Sequence, residues 1–440
     1  MDYGLWTNLM ARFREVLKNK NFLLLWLSQI VSQFGDRLNQ MALIGFIAQR
    51  SPGKTLQLAS LLAFTILPVF VVGPIAGVYV DRWDRRKTMY YCDFLRGLLV
   101  LLIPLYIIDS HKSIVPRYAV VFLLFCIGRF FVPAKLAIVP ELVPKEQMLM
   151  ANSLVNTTGM IASTAGFAIG GIVVTVLGAK GGFYIDSASF FVSSFLVFFI
   201  RLAGRQRVKI MEVGKEVLEA IRKSSVLGEV KEGIRYLLGR KQMRGVIAVL
   251  FLIWAALGTM YVVVIVFVQQ TLKSLTLDLG LLAMFLGMGL FLGSIIYGRF
   301  GKSANCFKTI FSSLISSGLA LAGFAFVLNR YPFFYTAAIL AVVFGLAVGP
   351  IMTAANTLIH DVSSGAMLGK VFSSVEVVMH LAFLLFMFIG SALAEIKSIG
   401  QGGLLIGVGV LFSLIGTTGY LRQKFSVNSK GSPETEYVKA

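Results

Sequence analysis

The sequence predicts an all-α membrane protein in which twelve transmembrane helices form two bundles of six. Three observations predict this fold class. The 440 residues are 57% hydrophobic and only 14% charged, with a mean hydropathy of +0.81, whereas soluble domains carry about 25% charged residues. Apolar runs of about 20 residues, long enough to cross a bilayer as a helix, recur along the whole chain. One long polar segment, 204–244, separates the sixth run from the seventh.

The apolar runs define the predicted spans and the domain boundaries. The predicted spans are 22–48, 57–80, 89–109, 117–139, 153–178, 183–203, 245–271, 277–299, 305–328, 332–358, 369–395 and 400–421. The predicted domains are an N-terminal six-helix bundle (1–203), a cytoplasmic amphipathic linker (204–244), a C-terminal six-helix bundle (245–421) and a flexible cytoplasmic tail (422–440). Apolar residues at helical spacing with charges of both signs are typical of a helix lying on a membrane surface, which is the prediction for the linker.

The distribution of Lys and Arg predicts that both termini and the linker are cytoplasmic. Basic residues are concentrated before the first span, between the second and third spans, and in the linker, while the alternate loops hold few. An excess of Lys and Arg marks cytoplasmic loops. Topology and attraction to anionic lipids therefore account for the net charge of +20. No basic groove with interleaved aromatic residues indicates a nucleic-acid partner.

The segment "GPIAGVYVDRWDRRK", residues 73–87, is the most specific motif in the chain. It resembles the signature loop of the major facilitator superfamily, G-x-x-x-D-R-x-G-R-R, although Asp84 stands where the family has its second glycine. The matching residues are Gly77, Asp81, Arg82, Arg85 and Arg86. The resemblance implies the major facilitator fold. It also implies that these residues form a cytoplasmic gate, in which Asp81 pairs with a group near the inner end of the eleventh span.

Two longer stretches resemble the macrolide-efflux and enterobactin-exporter-like branch of the superfamily. They are "NFLLLWLSQIVSQFGDRLNQMAL" before the motif and "GRFFVPAKLAIVPELVPKEQMLMANSLVN" after it. The resemblance implies a secondary active transporter in a bacterial cytoplasmic (inner) membrane. It would export an amphipathic small molecule, such as a drug, a macrolide or a siderophore, by rocking-bundle alternating access with proton antiport.

Charged side chains inside the predicted spans indicate where coupling takes place, because an ionisable group in a bilayer needs a partner, water or a function. Asp36 and Arg37 lie about fourteen residues into the first span, and Arg129 lies about twelve residues into the oppositely directed fourth span. Their depths are therefore similar, and we predict that Asp36 pairs with Arg129 and exchanges a proton. A purely structural ion pair and direct contact with a charged substrate are the alternatives.

A second charged group is predicted on the eleventh span. Glu376 and His380 are four residues apart, so they share a helix face. Glu376 is the predicted partner of the loop containing Asp81, and His380 is a candidate for functional protonation, with a structural role as the alternative. The polar residues predicted to line the substrate cavity, or else to join helices, are Gln29, Gln33, Arg37, Asn39, Gln40, Asn356 and Thr357.

Two other functions of the same fold remain open. A lysophospholipid transporter would use Arg37 and Arg129 to guide a phosphate headgroup. A ferroportin-like divalent metal exporter would use Asp36 and His380 as ligands, since "GDR" in the first span also resembles the ferroportin pattern. No P-loop, HExxH or Ser-His-Asp pattern is present, so we predict no enzymatic activity. We expect no cofactor or resident metal, and a monomer whose partners are its substrate, protons and membrane lipids.

Overall fold

The computed structural model of the protein is helical throughout the residues that it describes. Those residues are 13–73, 76, 80, 83–107, 115–202, 235, 241–301, 306–362 and 368–429. Within them, nine helical segments are long and apolar enough to cross a membrane. The chain divides into two compact units: unit 1 is Met1–Glu232 with Leu275–Gly280, and unit 2 is Gly233–Ser274 with Leu281–Ala440.

The helices of unit 1 overlap the first six predicted spans. They are α1 (Lys20–Arg50), α2 (Thr55–Ile66), α3 (Pro68–Val71), α4 (Arg85–Leu102), α5 (Val115–Leu142) and α6 (Met148–Phe198). A π-helix, Ile103–Ile107, continues α4 and includes Pro104, whose missing N–H interrupts the helical hydrogen-bond ladder. A 3₁₀ turn, Lys145–Gln147, precedes α6. Most of the predicted linker lies outside the described residues, as do Gly77, Asp81 and Arg82 of the predicted gate.

The helices of unit 2 overlap the remaining predicted spans. They are α7 (Lys241–Leu272), α8 (Leu277–Phe300), α9 (Cys306–Arg330), α10 (Phe334–Val362), α11 (Leu368–Ala394) and α12 (Gly400–Ser429). The first residues of α8, up to Gly280, group with unit 1. The last helix runs past residue 421 to Ser429. The first part of the predicted tail is therefore helical, because its sequence contains no proline or glycine that would end the helix.

Helix α6 contains the fifth and sixth predicted spans in one element. Its two arms meet at Gly178, whose backbone has φ 72° and ψ 173°. Only glycine adopts this conformation without strain, so the break between the predicted spans has a local steric cause. The first arm follows α1 in the same direction, since Gly159 meets Gln33 and Gly166 meets Arg37.

The second arm of α6 runs antiparallel to α1. Gly182 lies against Ala42, whereas the later residue Ser189 lies against the earlier residue Gly35. Gly35 has no side chain to separate the two helices: a Cβ atom there would lie 1.9 Å from Ser189 Oγ. Helix α1 is thus held against both arms of α6, which brings its central polar residues close to the second arm.

Polar contacts tie the helix ends together at one end of unit 1. Asn19 caps α1 by accepting hydrogen bonds from the backbone of the first turn, and its Nδ2 donates to the Leu142 carbonyl at 2.6 Å. Asn21 and Arg201 exchange two hydrogen bonds, at 3.0 and 2.9 Å. Arg86 Nη1 donates to the Ile200 carbonyl at 2.8 Å. We call these contacts the end clamp. They fix the starts of α1 and α4 against the ends of α5 and α6.

Unit 2 is held together by close backbone contacts at glycines. Lipid tails are as apolar as side chains, so helices in a membrane associate by close packing more than by exclusion from solvent. At the crossing of α9 and α12, a Cβ at Gly318 would lie 2.4 Å from the Gly409 carbonyl oxygen, and one at Gly409 would lie 2.5 Å from the Gly318 carbonyl oxygen. The two backbones therefore touch, and neither position has room for a side chain.

We predict that Gly318→Ala destabilises the protein by about 1–3 kcal/mol, because the added methyl group forces two backbones apart. The matched control is Gly323→Ala on the same helix, where a Cβ meets nothing within 4 Å. That change should be neutral or stabilise the protein by up to about 1 kcal/mol, since alanine favours the helix. Thermal unfolding of the purified protein in detergent measures both variants. Equal melting temperatures for the two variants would contradict the proposed contact.

Candidate functional site

Asp36 on α1 forms an ion pair with Arg96 on α4. The Nη2 atom of Arg96 donates to Oδ1 of Asp36. The Asp36 side chain is 37% exposed, whereas that of Arg96 is only 8% exposed. One partner therefore lies at an accessible surface of unit 1 and the other lies inside the helix packing. The pair joins two helices in the middle of their lengths.

A second carboxylate lies on the other side of the Arg96 guanidinium. Asp93, three residues earlier on α4, is completely buried, and its Oδ1 is 3.6 Å from Arg96 Nη1. Its Oδ2 accepts a hydrogen bond from Ser193 Oγ at 2.5 Å. The ring of Phe190 on α6 stacks on the guanidinium, with its centroid 4.1 Å from Arg96 Cζ. The guanidinium is thus held between an exposed and a buried carboxylate.

A third carboxylate, Asp186 on the second arm of α6, is completely buried. Its Oδ2 accepts a hydrogen bond from Asn39 Nδ2 at 2.6 Å, and its Oδ1 lies 3.4 Å from Ser189 Oγ. Asp186 interacts electrostatically with both Asp36 and Arg96. Lys135 on α5, which is half-buried, interacts electrostatically with Asp36. We call Asp36, Asp93, Arg96, Lys135 and Asp186 the charge cluster.

The predicted pairing of Asp36 with Arg129 is wrong, because the partner is Arg96. Similar depth along two helices does not show that their side chains meet, because it does not give the rotation of each helix about its axis. Arg129 is half-buried on α5. Four members of the charge cluster, Asp93, Arg96, Lys135 and Asp186, were missed. Each is a charged residue inside a predicted span, so the criterion that selected Asp36 would also have found them.

Arg37 is directed away from Asp36, as expected for adjacent helical residues. Its Nη1 donates to Gln40 Oε1 at 2.8 Å, and its Cζ lies 5.1 Å from the centroid of the Phe167 ring. The first carbons of its side chain pack against Gly166. Arg37 is therefore held by its own helix and by the first arm of α6.

The polar residues predicted to line a cavity have different environments. Gln29 and Asn39 are 1% and 3% exposed, so they lie in the helix packing of unit 1, which was the alternative role. The Nε2 atoms of Gln29 and Gln33 are buried, and neither has a hydrogen-bond partner within the described structure. Thr357 is exposed and donates to the Thr353 carbonyl at 3.1 Å. The side chain of Asn356 lies outside what the structure describes.

The described part of the signature motif binds neighbouring helix ends within unit 1. Arg85 Nη1 donates to the Ala137 carbonyl at 2.7 Å and to Glu141 Oε1 at 2.5 Å, while Arg86 belongs to the end clamp. Asp84 caps α4 by accepting a hydrogen bond from Lys87 N at 2.9 Å. The aspartate that departs from the family motif thus satisfies a backbone donor at a helix start, as N-cap residues do.

Glu376 and His380 lie one turn apart on α11, as their spacing indicated. Nδ1 of His380 is 2.8 Å from the Glu376 carbonyl oxygen, and the His380 ring centroid is 5.5 Å from that of Trp254 on α7. Trp254 also contacts Phe383, which in turn contacts Tyr261. The Glu376 side chain is exposed. His380 therefore belongs to a cluster of half-buried aromatic residues on α7 and α11.

The helical architecture agrees with the comparison to known families. Residues 25–337 match the Major Facilitator Superfamily. The chain belongs to the Major Facilitator Superfamily. The predicted membership is confirmed, and this facilitator is a multi-pass transmembrane transporter.

Its relatives include bacterial efflux proteins. This facilitator is 25% identical over 401 residues to macrolide efflux protein A of Streptococcus pyogenes, covering 88% of this chain and 92% of that protein. It is 27% identical over 428 residues to the MFS-type transporter YfiS of Bacillus subtilis, covering 90% and 93% of the two chains. A crystal structure of a bacterial homologue of the iron transporter ferroportin superimposes with a TM-score of 0.69 at 13% identity, over 92% of this chain and 98% of the other. That likeness shows the shared fold.

We predict that Arg96→Leu destabilises this facilitator by about 3–5 kcal/mol, because it leaves the buried Asp93 carboxylate without a counter-charge. The double variant Arg96→Leu, Asp93→Asn should recover much of this loss, since no uncompensated charge then remains at Asp93. Asp36→Asn should lower the free energy of unfolding less than either Arg96 variant does, because Asp36 is partly exposed. Thermal unfolding in lipid nanodiscs compares the variants. A double variant no more stable than Arg96→Leu alone would contradict the assignment.

Proposed function

We propose that this facilitator is a proton-coupled exporter of an amphipathic small molecule, of the drug, macrolide or siderophore class. It would work by rocking-bundle alternating access in a bacterial inner membrane, with twelve spans and both termini cytoplasmic. The observation that carries the proposal is the ion pair between the accessible Asp36 and the buried Arg96. The macrolide efflux protein among its relatives supports the direction of transport and the substrate class.

Asp36 suits the proton-exchanging role because its carboxylate is partly exposed and also pairs with Arg96. Its side chain is 37% exposed, which would give a proton a route to the carboxylate, whereas Asp93 and Asp186 are completely buried. A proton on Asp36 removes its charge and so weakens the pair with Arg96. The contact between α1 and α4 therefore differs between the two protonation states, as coupling requires.

The aromatic cluster of unit 2 supports the substrate class. Trp254, Tyr261, Phe383 and His380 are each half-buried, so they offer flat apolar faces together with polar edges. Ligand sites for amphipathic molecules combine such surfaces with a few polar groups. Glu376 and His380 remain our candidates for a second titratable group, beside this cluster.

The two alternative functions gain less support. Arg37, proposed to hold a lipid headgroup, donates a hydrogen bond to Gln40 and lies over the ring of Phe167. Asp36 and His380, proposed as metal ligands, contact Arg96 and Trp254 respectively. In the described parts of the chain, no group of three or more His, Cys, Asp or Glu residues could hold a metal ion. The likeness to a ferroportin homologue reports the fold and not the substrate.

We predict that Asp36→Asn abolishes substrate efflux driven by a proton gradient, while gradient-independent counterflow exchange continues. The asparagine retains the shape of the side chain but carries no exchangeable charge. The measurement is export of a macrolide or a fluorescent dye from proteoliposomes with an imposed pH gradient. Glu146→Gln is the matched control, because Glu146 is exposed and lies outside the predicted spans. Full driven efflux in Asp36→Asn would refute the proton role.

The substrate class is tested by ligand-induced stabilisation. A ligand that binds only the folded state raises the melting temperature by an amount that grows with the logarithm of its concentration relative to its Kd. We expect macrolides, siderophores or amphipathic dyes to stabilise the purified facilitator, and lysophospholipid and Co²⁺ to have little effect. Stabilisation by lysophospholipid alone would favour the lipid transporter, and stabilisation by Co²⁺ alone would favour the metal exporter. Either result would overturn the proposed substrate class.

A further inference from the structure

We propose that Arg96 is a two-position switch. Its guanidinium pairs with Asp36 while that carboxylate is ionised, and it closes onto Asp93 when Asp36 takes up a proton. Arg96 and Asp93 would be positioning residues, since they act through Asp36 rather than on the substrate. This inference rests on the proposed proton-coupled function and specifies how a proton on one helix changes the contacts of another.

The buried carboxylate of Asp93 has an acceptor position ready for Arg96. Its Oδ2 is occupied by Ser193 Oγ at 2.5 Å. Its Oδ1 is buried and accepts no hydrogen bond within the described structure. Arg96 Nη1 lies 3.6 Å from this Oδ1, beyond the length of about 2.7–2.9 Å typical of a charge-assisted hydrogen bond. Asp93 therefore interacts with Arg96 electrostatically, but the shorter hydrogen bond that its Oδ1 could accept from Arg96 is not formed.

The movement that the switch requires is small. The guanidinium already lies within 4.0 Å of carboxylate oxygens on both sides, through two different terminal nitrogens. It rests on the Phe190 ring, 4.1 Å from the centroid, and a stacked plane can slide with little loss of contact. Closing the 3.6 Å gap to Asp93 takes less than about 1 Å of side-chain movement. No displacement of the α4 backbone is needed.

The other charges around Asp36 leave Asp93 as the alternative partner. Lys135 faces Asp36 from α5, and Asp186 approaches it from α6. The Asp186 carboxylate has Asn39 and Ser189 as its hydrogen-bond neighbours. The adjacent Arg37 on α1 is bound to Gln40. Once Asp36 is neutral, Asp93 is the carboxylate within ion-pair distance of Arg96 in the described structure.

The switch would convert protonation into a change of helix contacts. In one position Arg96 joins α1 to α4, and in the other it is satisfied within α4, because Asp93 and Arg96 are three residues apart on the same helix. Helix α1 would then lose its charged link to α4 while keeping its packing on α6. A simple ion pair between Asp36 and Arg96 needs no third residue. A requirement for Asp93 in transport would therefore distinguish the switch from a simple ion pair.

The first test is the structure of Asp36→Asn, which represents the protonated state, determined by cryo-electron microscopy of the full chain in nanodiscs. We expect the distance from Arg96 Nη1 to Asp93 Oδ1 to shorten from 3.6 Å to about 2.9 Å. An unchanged distance, or an Arg96 side chain turned toward another group, would overturn the proposal. This result does not depend on knowing the substrate.

The second test compares transport in Asp93→Asn with that in Ser194→Ala. Asparagine keeps the shape of Asp93 but removes the alternative counter-charge, so driven efflux should fall about tenfold and counterflow exchange should fall much less. Ser194→Ala is the control: Ser194 follows Ser193 and donates from α6 to the Tyr90 carbonyl on α4 at 2.8 Å, without touching the charge cluster. It should retain driven efflux.

Equal losses of driven efflux and counterflow in Asp93→Asn would indicate a structural role and overturn the switch, as would undiminished driven efflux. If Asp93→Asn does not fold, the structure of Asp36→Asn still shows whether Arg96 moves onto Asp93. The proposed function fails separately, when the wild-type protein itself shows no efflux that depends on the proton gradient. A shortened contact between Arg96 and Asp93 in that case would leave the switch standing without a proton-coupled role.

Discussion

Burial of the Arg96 guanidinium among the helices is the constraint on which the packing around the charge cluster of unit 1 depends. A guanidinium in the middle of membrane helices is tolerated only when carboxylates and aromatic faces replace the water it has lost. Arg96 has Asp36 from α1, Asp93 from its own helix and the Phe190 ring from α6. These three contacts determine how closely the helices approach, and the absence of a side chain at Gly35 permits that approach.

The charge cluster and the end clamp divide unit 1 into a fixed end and an adjustable middle. At the end, Asn21 and Arg86 bind backbone groups that follow α6, so the helices cannot separate there without exposing unpaired donors. In the middle, the contact between α1 and α4 is a charge interaction whose strength depends on one accessible carboxylate. Under the proposed coupling, a proton would therefore change the middle of unit 1 and leave the end clamp unchanged.

The fold was more predictable from the sequence than the site. Within the described residues each predicted span overlaps a helix, and Gly178 marks the break within α6 because its conformation requires a glycine. The signature motif and the longer resemblances predicted the family correctly. The partner of Asp36 was not predictable by depth alone, because Arg96 and Arg129 both lie well inside their spans. Which of them faces α1 depends on how α4 and α5 are rotated, and that is set by contacts distant in sequence, such as the one between Gly97 and Phe191.

The continuous backbone through Gly178 also bears on how the chain enters the membrane. The arms of α6 are joined directly by the turn at Gly178, so they would leave the translocation machinery as a helical hairpin. The second arm carries Asp186 and several serines, which makes it the harder arm to insert alone. The apolar first arm would help the second arm to insert. Helix α1 is synthesised earlier, and its Asn39 amide donates the hydrogen bond that Asp186 accepts. Biogenesis and the final packing of the charge cluster thus share one structural element.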